Sequence, residues 1–261
     1  MFSERPLGDT LTAVRESYAP DAVVLDCEQD FETVPPEQAE ELGIVVDALD
    51  PASAPAEWVP ADAPELLHRY AGGQFTVGMP GDGSVVWTRQ TDPPTVLVKP
   101  RLEGSPDAFV DFLLAEAFVE LSLDEPEHFL HYFGDDYPAF HDAATPYLDA
   151  NDTYQVAAAC YDAYLGLRTR DIFAGWNDSY PALFDAWLDA GERLEPRLDG
   201  LSTAMARGDT SFGDAAELAC SAVKHSSELP SPFDALDAEA YRDHGAAYAV
   251  QWAEQTFEAL S

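Results

Sequence analysis

Two lysines stand in the whole chain, and one of them, Lys99, opens the run Lys99-Pro100-Arg101 just ahead of an apolar helix. Two cations at a strand end, next to the positive end of a helix dipole, suit an anion such as a phosphate or a carboxylate. The structural alternative is that both cations neutralise neighbouring acids, including Glu103 and Glu116, or pack two parts of the chain together. A second constellation joins Glu116 and Glu120 to Glu127-His128, His131 and His141. Carboxylates and imidazoles on facing helices can enclose Zn, Fe or Mn. A divalent metal held by Glu116, Glu120, His128 and His131 would turn a bound water into a nucleophile. Glu127 and His131, four residues apart, could also share an ion if they lay on one helix face. Against the metal stands the preferred structural reading, in which the glutamates pair with Arg168 or Arg170 and the histidines fill the aromatic run from Phe129 to Phe133. HExxH is absent, and the two ExxH matches, at Glu65 and Glu125, fall on a short helix and on a proline. Arg168-Thr169-Arg170-Asp171, after Tyr154, Tyr161 and Tyr164, reads as cations at a helix C-terminus. No GxSxG, GxxxxGK[ST] or CxxC is present, and Cys27, Cys160 and Cys220 sit on apolar stripes as buried thiols.

The element that must position both constellations is the helix over Phe109 to Leu121. It is apolar on most of its circumference, as buried helices are. At about 100° per residue, Asp107 and Asp111 share one side while Glu116 and Glu120 fall nearly opposite. Ser105, Pro106 and Asp107 form its N-terminal signal. Upstream, Leu7, Leu11, Val14 and Tyr18 predict a first helix. Val23, Cys27, Phe31 and Val34 predict a second over Pro20 to Thr33, with a strand beginning at Val23-Val24-Leu25 as the alternative. A third helix starts at Pro36, and a short one, capped by Asp62, reaches Ala71. Gly72-Gly73 then changes the period. Phe75 to Met79, Ser84 to Arg89 and Thr95 to Lys99 read as a three-stranded antiparallel meander, with a tight hairpin at Pro80-Gly81-Asp82-Gly83. Later helices are expected over Asp152 to Ile172, Tyr180 to Ala190, Arg193 to Arg207, Phe212 to Ser227 and Ala238 to Leu260. The fold class is therefore α+β and predominantly α. Residues 1–103 form an N-terminal α+β part and residues 104–261 a C-terminal multi-helix bundle, the two sharing one core or standing apart.

Composition sets the surroundings. Forty-nine acidic residues face thirteen basic ones, a formal charge of -36. In dilute buffer such a shell repels itself. At about 1 M salt the Debye length is only about 3 Å, and carboxylates can crowd the surface and hold hydrated K+ at little cost. Disorder needs low hydrophobicity together with high charge, and this chain is 46% hydrophobic. Nucleic acid is an unfavoured partner, since phosphate is neutralised by Lys and Arg. The opening Met1-Phe2-Ser3-Glu4-Arg5-Pro6 lacks a signal-peptide pattern, and the most apolar segment, Ala108 to Val119, is broken by Asp111 and Glu116. A cytoplasmic protein without a membrane span is expected.

The segment from Val96 through Lys99-Pro100-Arg101, Ser105-Pro106-Asp107 and Glu116 to Ala117, together with Glu127-His128-Phe129-Leu130, resembles an uncharacterised protein family of haloarchaea. The resemblance implies a haloarchaeal cytoplasm, and no catalytic residue is carried over from it. Because no catalytic arrangement can be assigned from the residues, the chain is read as a non-catalytic binding or interaction protein of a salt-in halophile, meeting another protein or a second copy of itself. The alternatives are the metal-dependent enzyme and an anion-binding enzyme centred on Lys99 and Arg101.

Overall fold

The computed structural model describes residues 2–34, 36–78 and 83–259, which fall into two compact units. The first comprises residues 1–54, 69–127 and 180–186. Its centre is a four-stranded sheet of order β1 (Phe2–Glu4), β2 (Val23–Cys27), β6 (Thr95–Val98), β4 (Val85–Thr88). β2 and β6 run parallel, with Val24 opposite Val96 and Leu25 opposite Leu97, and the two outer strands are antiparallel to their neighbours. All four residues of β6 are buried, as expected for an inner strand covered on both faces. On one face, Leu25, Cys27, Val86 and Leu97 pack with Ala39, Leu42 and Val46, from and just beyond α2 (Pro36–Val45). On the other lies α4 (Asp107–Ser122), packed on β4 and on α1 (Asp9–Tyr18). Trp87, one residue on from Val86, points to the α4 side because strand side chains alternate. A two-stranded pair, β3 (Ala48–Leu49) and β5 (Thr91–Asp92), completes this unit.

The sheet departs from the expected meander. β4 and β6 are antiparallel neighbours as anticipated, but Phe75 to Gly78 forms no strand, and β1 and β2 take part instead. The stretch is tied to the chain after β2 by the Val34 N–H, which donates to the Val77 carbonyl at 3.0 Å. Met79 and the hairpin residues Pro80 to Asp82 lie outside the described residues. The expected helix over Pro20 to Thr33 is also replaced. Val23-Val24-Leu25 is a short apolar run, which periodicity cannot assign between helix and strand, and pairing with β6 decides for strand.

The second unit comprises residues 55–68, 128–179 and 187–261. α3 (Glu65–Ala71) and α8 (Pro181–Asp199) each contribute residues to both units. The remaining helices are α5 (Phe129–Phe133), α6 (Tyr137–Ala144), α7 (Ala150–Ala174), α9 (Leu201–Arg207), α10 (Phe212–Ser221) and α11 (Glu239–Ala259). α7 is the axis. Asp149 caps it by accepting from the Asn151 and Asp152 amides, and α10, α11 and a 3-10 turn at Val223–His225 pack along it. At Gly166 the Lys224 backbone approaches so closely that a Cβ would stand 2.9 Å from the Lys224 nitrogen. The break expected between Ala190 and Arg193 is not there: α8 runs through Gly191, where a Cβ would stand 3.0 Å from the Cβ of His225, and the break comes at Gly200. α11 bends at Gly245, where φ is 51°. Among the described residues no helix is long and apolar enough to cross a membrane.

Candidate functional site

Lys99 follows β6 directly. Its amide donates to the Ser84 carbonyl at 2.8 Å, its side chain is 1% exposed, and its ammonium lies 4.8 Å from the centroid of the Phe31 ring. Arg101 sits in the 3-10 turn Pro100–Leu102. Its Nε donates to both oxygens of Asp30 at 2.9 Å, and its Nη2 reaches Glu32 at 3.2 Å and the Phe31 carbonyl at 3.1 Å. The guanidinium holds the Asp30 carboxyl below the usual carboxylate range, and Asp30 in turn raises Arg101. Lys99 and Arg101 thus both engage the segment from Asp30 to Glu32 after β2, one over the Phe31 ring and the other on its carboxylates and the Phe31 carbonyl.

Glu116 is buried on α4, and Glu120, one turn on, accepts from the indole of Trp87 at 2.7 Å. Beyond the end of α4 the chain reaches Glu127, whose carboxylate is enclosed by the turn Thr88-Arg89-Gln90. It accepts from the Thr88 hydroxyl at 2.9 and 3.0 Å, from the Arg89 amide at 2.8 Å and from the Gln90 side-chain amide at 2.6 Å. Burial raises the Glu127 carboxyl in spite of these donors. The Arg89 guanidinium donates to the carbonyls of Leu121, Leu123 and Glu125 while stacked 5.0 Å from Trp87. Sheet turn and helix end are therefore fastened by Glu127 in one direction and Arg89 in the other. Spacing carries no trace of this arrangement, since 38 residues separate Arg89 from Glu127.

His128 is extended and serves as the N-cap of α5, its Nδ1 accepting from the Leu130 amide at 3.0 Å. α5 begins only at Phe129, so Glu127 and His131 do not form an i,i+4 pair on one helix. Burial, with a smaller contribution from His131, pushes the His128 imidazole down to about 3, and the ring is neutral. His131 meets Trp58 edge-on, with centroids 6.0 Å apart. His141, buried on α6, has its Nε2 3.5 Å from Asp62 and lies beside Tyr137. Among the described residues no three His, Cys, Asp or Glu side chains gather to hold a metal. Cys27, Cys160 and Cys220 are free and buried, and burial raises every one of these thiols, Cys27 to about 12. Nucleophilic cysteines need the opposite shift.

Neither a curated protein nor a solved structure matches this chain. Its sequence from residue 1 to residue 260 matches one family model, and on that match the chain belongs to the Family of unknown function (DUF7089).

Proposed function

We propose that this chain works by binding rather than by catalysis, in a salt-rich cytoplasm where hydrated K+ covers its acidic surface. The observation that carries this reading is the enclosure of Glu127. A half-buried carboxyl with a raised pKa is where an acid or base catalyst is sought. Here both oxygens accept hydrogen bonds from the chain's own Thr88, Arg89 and Gln90, an arrangement that fastens rather than reacts. The neutral, capping His128 and the raised thiols support the same reading.

The partner favoured is a second copy of the chain. Ile44 is 85% exposed and its neighbour Val45 47% exposed at the C-terminal end of α2, where two copies could meet through the same patch. Multimolar salt strengthens apolar association and screens the repulsion between two chains of charge -36. Light scattering coupled to size exclusion in multimolar KCl tests it. The expected result is a dimer that Ile44→Asp dissociates. Ile44→Cys should form an interchain disulfide, the three native thiols being buried. A monomer that gives no cross-link removes self-association and turns the search to a different protein.

A further inference from the structure

Residues 55–64 cluster with the helical unit, and two side chains attach them there. Trp58 is the first. Its indole Nε1 donates to Asp135, and its ring lies beside Gly134, where a Cβ would stand 3.6 Å from it. Asp62 is the second, its Oδ1 standing 3.5 Å from Nε2 of His141 on α6. His141 is 4% exposed, and among the described residues neither of its ring nitrogens forms a hydrogen bond. On the other side of the ring, Oδ1 of Asp142 stands 4.0 Å from Nδ1. Each nitrogen of one buried imidazole thus faces a carboxylate. α7, α11 and the turn Gly134–Asp136 also pack on α6, and among the described residues none of them brings a further carboxylate within 4.0 Å of the ring. Tyr137, one turn back with its ring centroid 6.3 Å away, is the titratable neighbour on α6 itself; burial raises its phenol, which stays neutral.

Protonation decides what such a ring can do. A neutral imidazole has one N–H and one acceptor nitrogen, so one of the two carboxylates would face a lone pair. Only the imidazolium turns an N–H toward both. Burial drives His128 and His225 neutral, and there Nδ1 meets main chain, the Leu130 amide in one case and the Trp187 carbonyl in the other. At His141 the groups against the nitrogens are charged, and a nearby opposite charge favours the cation. We propose that His141 is a proton-operated latch for residues 55–64. As imidazolium it holds Asp62 to α6, with Asp142 balancing the charge at the far nitrogen. On losing the proton it lets the Asp62 end go, while Trp58 keeps the other end on Gly134 and Asp135. The hold is present at acid pH and is lost as pH rises through the range in which imidazoles change charge, about pH 5 to 8. Asp62 is 68% exposed, which opens the latch to the protons of the medium and, through solvent screening, keeps its effect modest.

The test is amide hydrogen exchange of the full-length protein in multimolar KCl, followed by NMR and corrected for the intrinsic pH dependence of exchange. Two amides report on the two ends of the segment. Ala63 donates to the Pro60 carbonyl at 3.1 Å beside Asp62, and Trp58 donates to the Pro55 carbonyl at 3.0 Å. Protection at Ala63, taken relative to Trp58 so that changes in global stability cancel, should be roughly two- to fivefold greater at about pH 5.5 than at about pH 8. That is the range an ion pair with a solvent-facing partner supports. Asp62→Asn, a surface change that leaves the core intact, should remove the difference. His141→Gln should hold Ala63 at its loosened level at both pH values. Equal relative protection at both pH values in the wild type overturns the proposal. So does a pH difference that survives in Asp62→Asn, which would place the titrating group elsewhere. Protection in His141→Gln as high as that of the wild type at acid pH would mean that the ring plays no part, and the latch would fall with it.

Discussion

His128 shows how a residue can be conspicuous for chemistry and be used for architecture. Its imidazole caps α5, and its folded value near 3 lies well below the ordinary 6.5. The unfolded chain therefore takes up a proton first as the pH falls. Stability from this site is complete above about 6.5 and is lost progressively as pH drops toward 3. Over the full window the loss is on the order of 5 kcal/mol, each pH unit between the two values being worth about 1.4 kcal/mol. Asn at this position keeps a capping acceptor and does not titrate. Denaturant unfolding of His128→Asn between pH 7 and pH 4 should give a shallower acid loss than the wild type, and parallel curves would refute this account. Glu127 acts with the opposite sign. Its raised carboxyl contributes most at acid pH, and that contribution falls away as pH rises through its folded value. The residue types at both positions were legible as unusual; their roles were not. Glu127 was grouped with His131 by spacing, whereas its partners Thr88, Arg89 and Gln90 arrive from a distant turn.

At the scale of elements, the long helices were the readable part. α1, α2, α4 and α7 appear close to where apolar spacing, proline positions and end signals put them. Short apolar runs were not readable. Val23-Val24-Leu25 became β2, and Phe75 to Gly78 stayed outside the sheet although it is rich in β-formers. Arg89 is the side chain that joins the two kinds of element, since it donates to three carbonyls at and beyond the end of α4 from the turn after β4. Replacing it with Met keeps much of the packing against Trp87 and removes the donors. Arg89→Met should lower stability by about 1–2 kcal/mol, because hydrogen bonds from a charged group are among the stronger ones and this one is partly open to water. A shift in denaturant midpoint with unchanged slope is the expected readout. An unshifted midpoint would mean that water replaces the guanidinium at no cost.

For the whole molecule, charge is the dominant fact. A formal charge of -36 is tolerable where the Debye length is about 3 Å and costly where it is about 10 Å, as at 0.1 M salt. Dilution from multimolar KCl to 0.1 M should remove a large share of a domain's usual ~5–15 kcal/mol and bring the thermal midpoint down with it. Circular dichroism across a KCl series reads this directly. Sucrose, which favours burial without screening charge, should not restore the midpoint. A salt-independent midpoint would refute the proposed salt adaptation.

Composition and helical period by themselves determined that the chain folds, that it is mostly helical, that its three thiols are buried and free, and that an apolar helix starts near residue 107. These are sums or local repeats, and each depends on side chains near one another in sequence. Strand pairing and the partners of the charged groups were decided only by the tertiary structure. β2 lies beside β6 although some 70 residues separate paired positions such as Val24 and Val96. Arg101 meets Asp30 across 71 residues. Asp62 was read as a helix cap and stands instead against His141. Contacts of this kind cost loop-closure entropy that only the finished core repays, so no local pattern announces them.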